Sequence, residues 1–302
     1  MIQDWKQDAQ AGVTSPAGFV AAGVRCGLKT EGNDLALIVC ENAASVAGMF
    51  TTNCVQASCV RYSRRIVQTG QARAILCNAG NANACNGERG DRDNLRMAEW
   101  VAHALGISPN EVLTASTGVI GHPLPMKQLE AGIAEAVARL ARSPETDREV
   151  ARAIMTTDTR PKSLAVTVES DHWTGSLRIG GACKGAGMIA PNMATMLCFL
   201  TTDAQMPPSL LQKALSDAVR RTFNRLTIDG DTSTNDMVLL LASGAGPCRI
   251  AEESLAFEDF RESLVRVCHH LVREVARDGE GATKLVEVTV RGAPSEEDAA
   301  RI

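Results

Sequence analysis

The chain has 302 residues, of which 45% are hydrophobic, and its formal net charge is −4 at pH 7 with a pI near 5.8. This length and composition suit a globular protein with a substantial core, and the acidic balance without a basic stripe argues against nucleic-acid binding. No apolar run approaches the roughly 20 residues of a membrane span, and the N-terminus lacks the features of a signal peptide. We therefore predict a cytoplasmic protein.

Short apolar segments that end at Gly, Asn or Asp fill the first ninety residues, which is typical of strands. Helical spacing follows, and strand-like and helical segments then mix to the end. Without a repeat or a long linker, the pattern favours an α/β (α+β) fold in which mixed sheets pack in layers with helices. The predicted strands are 18–27, 35–41, 45–52, 73–78, 164–169, 195–201 and 285–290, and the predicted helices are 92–105, 125–142, 146–155, 209–223 (with Ser209 as N-cap) and 257–277.

The ten cysteines are spread along the chain, mostly in apolar surroundings. Without an export signal this distribution favours reduced, buried thiols over disulfides. The pair Cys54 and Cys59 and the adjacent His269 and His270 do not form a recognised set of metal ligands. The sequence therefore predicts no metal site.

Several polar stretches of small residues interrupt the regular pattern. CNAGNANACNG (77–87) lacks the phosphate-loop pattern and favours a tight structural loop, because Asn and Gly tolerate left-handed backbone angles. TASTGVIG (114–121) could direct the N–H groups of Thr117 and Gly118 toward an oxyanion, although a strand-ending turn is the simpler interpretation. DGDTSTND (229–236) lacks the EF-hand spacing and favours a hydroxyl-rich turn over a cation site.

The stretch KGAGMIAPNMATML (184–197) is a glycine-rich loop that ends with Ala194 and Thr195 at the edge of an apolar strand. A threonine hydroxyl becomes a useful nucleophile when a base lies beside it, and its own α-amino group can be that base once the preceding peptide bond is cut. An α-amino group titrates near about 7.7–8.0, so a useful fraction is neutral at cellular pH. A β-branched residue that merely favours strand geometry is the alternative explanation.

Eight segments occur in a fixed order from about residue 14 to the C-terminus: PAGFVAAGV, ALIVCENAASVAGMFTTN, RAILCNAGNANACNG, VLTASTGVIGHPLPM, AIMTTDTRPK, GMIAPNMATMLCFLTTD, NRLTIDGDTSTNDMVLLLA and GEGATK. Together they closely resemble the ornithine acetyltransferases of arginine biosynthesis, which are also called glutamate N-acetyltransferases. So many long motifs in one order make the resemblance highly specific.

The resemblance implies a self-processing enzyme of a superfamily that also contains a self-cleaving aminopeptidase. Cleavage between Ala194 and Thr195 gives an α chain, 1–194, and a β chain, 195–302, which stay associated, commonly as an α2β2 heterotetramer. The implied reaction moves the acetyl group of N-acetylornithine to glutamate through an acetyl-Thr195 intermediate, without a metal or other cofactor. Some family members also use acetyl-CoA with glutamate, and no motif here decides that point.

The resemblance also implies roles for individual residues, with charges that suit the carboxylate and ammonium groups of an amino-acid substrate. The motif MTTDTRPK (155–162) offers three hydroxyls, so Thr156 and Thr159 are alternatives to Thr157 as the substrate contact. The implied oxyanion-stabilising residues are Thr117 and Gly118, and the implied substrate-binding residues are Thr157, Lys184, Thr195 and Glu280.

Family members continue well past the ending GAPSEEDAARI, in which EEDAARI reads as the first turns of a helix. We therefore expect a fragment or a shortened variant that lacks the C-terminal Asn and Ser or Thr of the family's substrate site. Two alternative functions remain at this point. One is an autoproteolytic aminopeptidase or amidase in which water accepts the acyl group from Thr195, and the other is an inactive fragment.

Overall fold

The computed structural model describes residues 2–190 and 196–301, in which strands and helices alternate. The strands are β1 (Ile2–Asp8), β2 (Phe19–Val24), β3 (Leu35–Phe50), β4 (Gln71–Asn81), β5 (Val112–Val119), β6 (Lys162–Ser170), β7 (Ser176–Lys184), β8 (Leu197–Thr202) and β9 (Met237–Ala242). The helices are α1 (Ser58–Gln68), α2 (Gly87–Leu105), α3 (Met126–Ala138), α4 (Pro144–Ala153), α5 (Pro208–Arg221), α6 (Leu255–Arg277) and α7 (Glu296–Arg301).

Within the described residues the strands form one mixed sheet in the order β1-β6-β7-β8-β9-β3-β4-β5, and β2 pairs with β3 outside this path. Strands β4 and β5 run parallel, as do β8 and β9, whereas the other neighbours are antiparallel. Helices pack against this sheet through two hydrophobic clusters. The predicted α/β class with mixed sheets and packed helices is confirmed.

Strand β3 is one strand of 16 residues, where the sequence predicted two separate strands, 35–41 and 45–52. Its first half pairs with β2 and β4, and its second half pairs with β9. The register against β4 shifts between Val39 and Ala44, as in a β-bulge, and residues 41–43 are exposed there. The polar residues that suggested a turn therefore mark an irregularity inside a strand that joins the two halves of the sheet.

The β8–β9 pair separates the two hydrophobic clusters. Leu197 and Phe199 belong to the cluster that includes β2–β5 and α1–α4, whereas Cys198 and Leu200 belong to the cluster that includes α5 and α6. Successive side chains of a strand point to opposite faces, so a strand covered on both faces needs a continuous apolar run. The run MLCFL (196–200) meets that need.

The predicted helices and most predicted strands are present, with ends that differ by a few residues. The prediction of Ser209 as an N-cap is wrong, because α5 begins at Pro208 and Pro207 holds the capping position without a side-chain hydrogen bond. Proline suits the first helical position, since its fixed φ matches the helix and its missing N–H is not needed there. The helix predicted at the end of the chain is α7.

The predicted strand 285–290 does not form. Residues 283–291 have no regular secondary structure, and Val286 and Val288 are 77% and 81% exposed. Alternation of apolar residues is not sufficient, because a strand must also pair its backbone N–H and C=O groups with a neighbour. The described residues provide no such neighbour for this segment.

All ten cysteines lie in the described residues as free thiols, and seven of them are buried, as the sequence predicted. Among the helices of residues 2–190 and 196–301, none has the length and apolar character needed to cross a membrane.

Candidate active site

Strand β5 carries Thr117 and Gly118 at its C-terminal end, beside the end of β4. Thr117 pairs with Ala79 and Gly118 pairs with Gly80, so both residues are part of the strand and not of a turn after it. Gly118 has a φ of 130°, and a Cβ added there would lie 2.3 Å from the carbonyl carbon of Gly80. Only glycine fits this close approach to the backbone of β4. Gly118 itself is exposed at the end of the strand.

Residues 77–87 were predicted to form a tight loop, but residues 77–81 belong to β4 and pair with β5, so that only residues 82–86 connect this strand to α2. The Ser116 hydroxyl donates to Asn78 Oδ1 at 2.7 Å, directly before Thr117. Asn83 and Cys85 adopt positive φ angles of 46° and 60°. The asparagines thus satisfy backbone and side-chain groups beside the strand, and we assign them no ligand.

Lys184 is the last residue of β7, whereas its sequence context suggested a loop residue. Its side chain is buried, and Nζ donates to Thr117 Oγ1 at 3.0 Å. This bond joins β7 to β5, which are distant in the order of the sheet. Burial lowers the pKa of Lys184, and the nearby carboxylates of Asp158 and Asp236 oppose that shift. The structure therefore places a buried amino group at the candidate oxyanion residue Thr117.

A buried ionic network lies next to Lys184. Lys162 Nζ is 2.6 Å from Asp158 Oδ1 and 2.6 Å from Asp278 Oδ2, and its side chain is fully buried. Asp158 Oδ1 also accepts from the Gly185 N–H at 2.7 Å, and both the N–H and the hydroxyl of Thr159 donate to Asp278. Lys162 thus ties three chain segments together: the loop after α4, the end of β7 and the end of α6.

Glu280 follows this network at the end of α6. Its N–H donates to the Ala186 carbonyl at 2.7 Å, and a Cβ added to Gly187 would lie 2.6 Å from the Glu280 carboxyl carbon. The Glu280 side chain therefore rests on the segment that follows Lys184, and the residue remains exposed to a ligand.

Of the three hydroxyls in MTTDTRPK, that of Thr159 is engaged by Asp278. Thr157 is exposed, whereas Thr156 is partly buried and its N–H donates to Asp158 at 3.0 Å. The exposed hydroxyl of Thr157 thus best fits the predicted substrate contact, which stays a prediction. Ala194 and Thr195 lie outside the described residues, but β7 pairs Lys184 with Leu197, two residues after Thr195.

The segment 229–236 forms the turn that the sequence favoured. The Asp229 carboxylate accepts from the N–H groups of Met188 and Ile189 at 2.5 and 2.8 Å. Asn235 Nδ2 donates to the carbonyls of Ala82 and Ser116 at 2.6 and 2.8 Å. The turn therefore connects the loop before β8 to the end of β5 through hydrogen bonds to both. No group of three or more potential metal ligands comes together in the described part of the chain.

The sequence profile of the ArgJ family matches residues 20–302. The chain belongs to the ArgJ family. A curated relative from Symbiobacterium thermophilum, the "Arginine biosynthesis bifunctional protein ArgJ", is 51% identical over 292 residues, which cover 95% of this chain and 72% of the relative. A protein of the same name from Lactococcus lactis is 47% identical over 94% of this chain and 70% of its own length.

Solved structures agree with this assignment. The ArgJ protein of Bacillus halodurans superposes with a TM-score of 0.59 at 35% identity, and the match covers 63% of this chain and 98% of that one. An ornithine acetyltransferase of Mycobacterium tuberculosis, solved in complex with ornithine, gives 0.58 at 41% identity, with 62% and 98% covered. An aminopeptidase from Ochrobactrum anthropi, with a variant of the Ntn-hydrolase fold, matches at 12% identity and a TM-score of 0.55, which shows a shared fold alone.

The structure also places near the candidate site several charged residues that the sequence argument did not single out. Asp158, Lys162 and Asp278 carry its buried charges, and Asp236 lies beside the start of β8. The only indication of this network in the sequence was the spacing of Asp158 and Lys162, four residues apart within MTTDTRPK, which allows an ion pair. Asp278 is distant from them in sequence, so the pattern did not reveal that one lysine serves two carboxylates.

The network makes stability depend on pH. Burial alone would raise the pKa values of Asp158 and Asp278, but the Lys162 ammonium and the surrounding donors lower both overall. Because the two pKa values are lowered in the folded protein, the ion pairs stabilise it fully above a pH of about 3.9, the pKa of an aspartate in the unfolded chain. This stabilisation is lost as the pH falls through the lower pKa values of the folded state. We expect the stability difference between the wild type and the double variant D158N/D278N to narrow from pH 6 to pH 3 in urea unfolding. A constant difference would contradict ionised carboxylates.

Proposed function

We propose that this ArgJ-family chain cuts itself between Ala194 and Thr195 and then transfers the acetyl group of N-acetylornithine to glutamate. The names of its relatives support the reaction, since they include arginine-biosynthesis ArgJ proteins and an ornithine acetyltransferase complexed with ornithine. The observation that carries the proposal is the buried contact of 3.0 Å between Lys184 Nζ and Thr117 Oγ1, two positions that the family resemblance assigns to the site.

In the proposed acylation step, Thr195 Oγ attacks the acetyl carbonyl and its own α-amino group takes the hydroxyl proton. Thr117 and Gly118 stabilise the tetrahedral oxyanion, and the Lys184 ammonium adds positive charge where this negative charge develops. The α-ammonium returns the proton to the departing ornithine amine. The neutral amine of glutamate then attacks the acetyl carbon of acetyl-Thr195, and the ester C–O bond breaks. The α-amino group passes the amine proton to Thr195 Oγ, and N-acetylglutamate leaves, which completes a ping-pong cycle.

Substrate binding in this proposal uses the groups around the ionic network. The exposed Glu280 carboxylate suits an ammonium group of ornithine, and the exposed Thr157 hydroxyl can provide a neutral hydrogen bond. The ionic network of Asp158, Lys162 and Asp278 is buried and hydrogen-bonded, so it holds the neighbouring chain segments in fixed positions.

A two-chain product agrees with the lengths of the solved relatives. The Bacillus halodurans chain is covered to 98% by 63% of this chain, or about 190 residues, which is close to the length of 1–194. The segment 195–302 would stay associated, because β8 pairs with both β7 and β9 in the middle of the sheet. Assembly as α2β2, a cytoplasmic location and the use of acetyl-CoA remain predictions.

Mass spectrometry of the purified chain tests the cleavage. We expect two polypeptides, the second of which begins with Thr195, and a single uncut chain for the T195A variant. An uncut wild-type chain would contradict the proposal and favour the inactive fragment.

A second assay separates acetyl transfer from hydrolysis. We expect the cut protein to form N-acetylglutamate when it is given N-acetylornithine and glutamate, with little free acetate. Acetate as the main product would instead favour the aminopeptidase or amidase alternative, in which water accepts the acyl group.

A further inference from the structure

Asp236 is a buried carboxyl group with an unused oxygen. The residue is 1% exposed, and its Oδ1 accepts from the Met196 N–H at 3.2 Å. Its Oδ2 is also buried, yet no group in the described residues forms a hydrogen bond with it. An unpaired buried carboxyl oxygen costs stability, so its presence in a native site needs an explanation.

The surroundings of Asp236 connect the two halves of the candidate active site. Asn235, the preceding residue, donates to the Ser116 carbonyl directly before Thr117. Met196, whose N–H binds Asp236, is joined by a peptide bond to Thr195. The carboxyl group therefore contacts Met196, the residue covalently joined to the proposed nucleophile, and adjoins Asn235, which contacts the strand of the candidate oxyanion residues.

Self-cleavage needs a base that the acetyl-transfer cycle does not use. Before the cut, the nitrogen of Thr195 belongs to an amide and cannot accept the hydroxyl proton. The other buried ionic groups at the site are engaged, because Lys184 donates to Thr117 and Lys162 binds both Asp158 and Asp278. Asp236 is the buried carboxyl group of this site, within the described residues, that retains a free oxygen.

We propose that Asp236 is the base that activates Thr195 for self-cleavage. Oδ2 takes the proton of Thr195 Oγ, and Oγ attacks the carbonyl carbon of Ala194. The C–N bond between the two residues then breaks, and the proton passes from Asp236 to the released nitrogen. Water finally hydrolyses the ester, which leaves a carboxyl group on Ala194 and the free hydroxyl on Thr195. This inference rests on the proposed cleavage between these residues.

The electrostatic environment suits that role. Burial raises the pKa of Asp236 to about 8, and the charge of Lys184 and the hydrogen bond from the Met196 N–H oppose the shift. Lys184 is the charged group that acts on it from β7, whereas the neighbouring ends of β3 and β8 contribute the uncharged residues Thr51 and Met196. A carboxylate with a raised pKa is a stronger base than an ordinary one, and a fraction is ionised near neutral pH.

The test follows the cleavage of freshly translated full-length chain with time, by gel electrophoresis and mass spectrometry. We expect D236N to cut about 100-fold more slowly than the wild type, because Asn keeps an acceptor for the Met196 N–H but is not a base. The matched control is D231N, which alters an exposed carboxylate of the same turn and should cut at the wild-type rate. Melting temperatures of D236N and uncut T195A should be similar.

The outcomes separate this inference from the proposed function. If D236N cuts as fast as the wild type, the role of Asp236 is wrong and the cleavage proposal stands. If the wild type does not cut before Thr195, the proposed function fails and the inference fails with it. If D236N does not fold, the pH dependence of the wild-type cleavage rate tests the role of Asp236 instead. We expect this rate to rise about tenfold per pH unit up to pH 8 and then to become constant. A flat profile from pH 6 to 9 would overturn the proposal.

Discussion

Replacing Lys162 with Met is expected to lower the free energy of unfolding by about 3–5 kcal/mol, because it leaves two buried carboxylates without their shared cation. The Lys162 side chain is fully buried and lies 2.6 Å from both Asp158 and Asp278. Urea unfolding of the T195A background measures the effect on a single uncut polypeptide, in which association of two chains does not contribute.

Lys213 provides the matched control for this prediction. It also forms an ion pair, with Glu253 at 2.5 Å, but the two side chains are 53% and 58% exposed. Exposed pairs contribute at most about 1 kcal/mol, so K213M should change stability little. An equal decrease in the free energy of unfolding in K162M and K213M would show that the buried network stabilises the protein no more than an exposed ion pair does.

Replacing Gly118 with Ala is expected to lower the rate of acetyl transfer by about 100- to 1,000-fold, the usual cost of losing an oxyanion donor. The added Cβ would lie 2.3 Å from the Gly80 carbonyl carbon and 2.6 Å from the Asn81 nitrogen. The backbone at the end of β5 must therefore move, and the Gly118 N–H moves with it. Steady-state kinetics should show the loss in kcat more than in KM, since the oxyanion is absent from the bound substrate and forms only as the reaction proceeds.

Gly121 separates this effect from ordinary backbone strain. It lies three residues further along with a φ of 81°, but a Cβ added there would meet no atom within 4 Å. The G121A variant should therefore lose about 1–2 kcal/mol of stability from its left-handed backbone and keep its kcat. If G121A loses as much activity as G118A, the position of the Gly118 N–H is not the cause.

Local patterns were sufficient where an element depends on its own residues. The apolar run MLCFL is typical of a buried strand, and β8 is a strand that the structure buries on both faces. The alternating segment 285–290 failed as a prediction, because a strand also needs a neighbour for its backbone, which the described residues do not provide. The asparagine-rich segment 77–87 was predicted as one loop, but residues 77–81 form the end of β4, because pairing with β5 outweighs the local turn preference of Asn and Gly.

The sequence by itself determined the fold class, the family and the positions that the family assigns to the site, because long motifs in one order identify these without coordinates. Only the tertiary structure decided which of those positions meet. Lys184 and Thr117 are 67 residues apart in sequence, and Lys162 and Asp278 are 116 residues apart. Hydrogen bonds and ion pairs across such separations depend on how strands and loops are brought together in space. For the same reason, the unused oxygen of Asp236 became evident only once its buried surroundings were known.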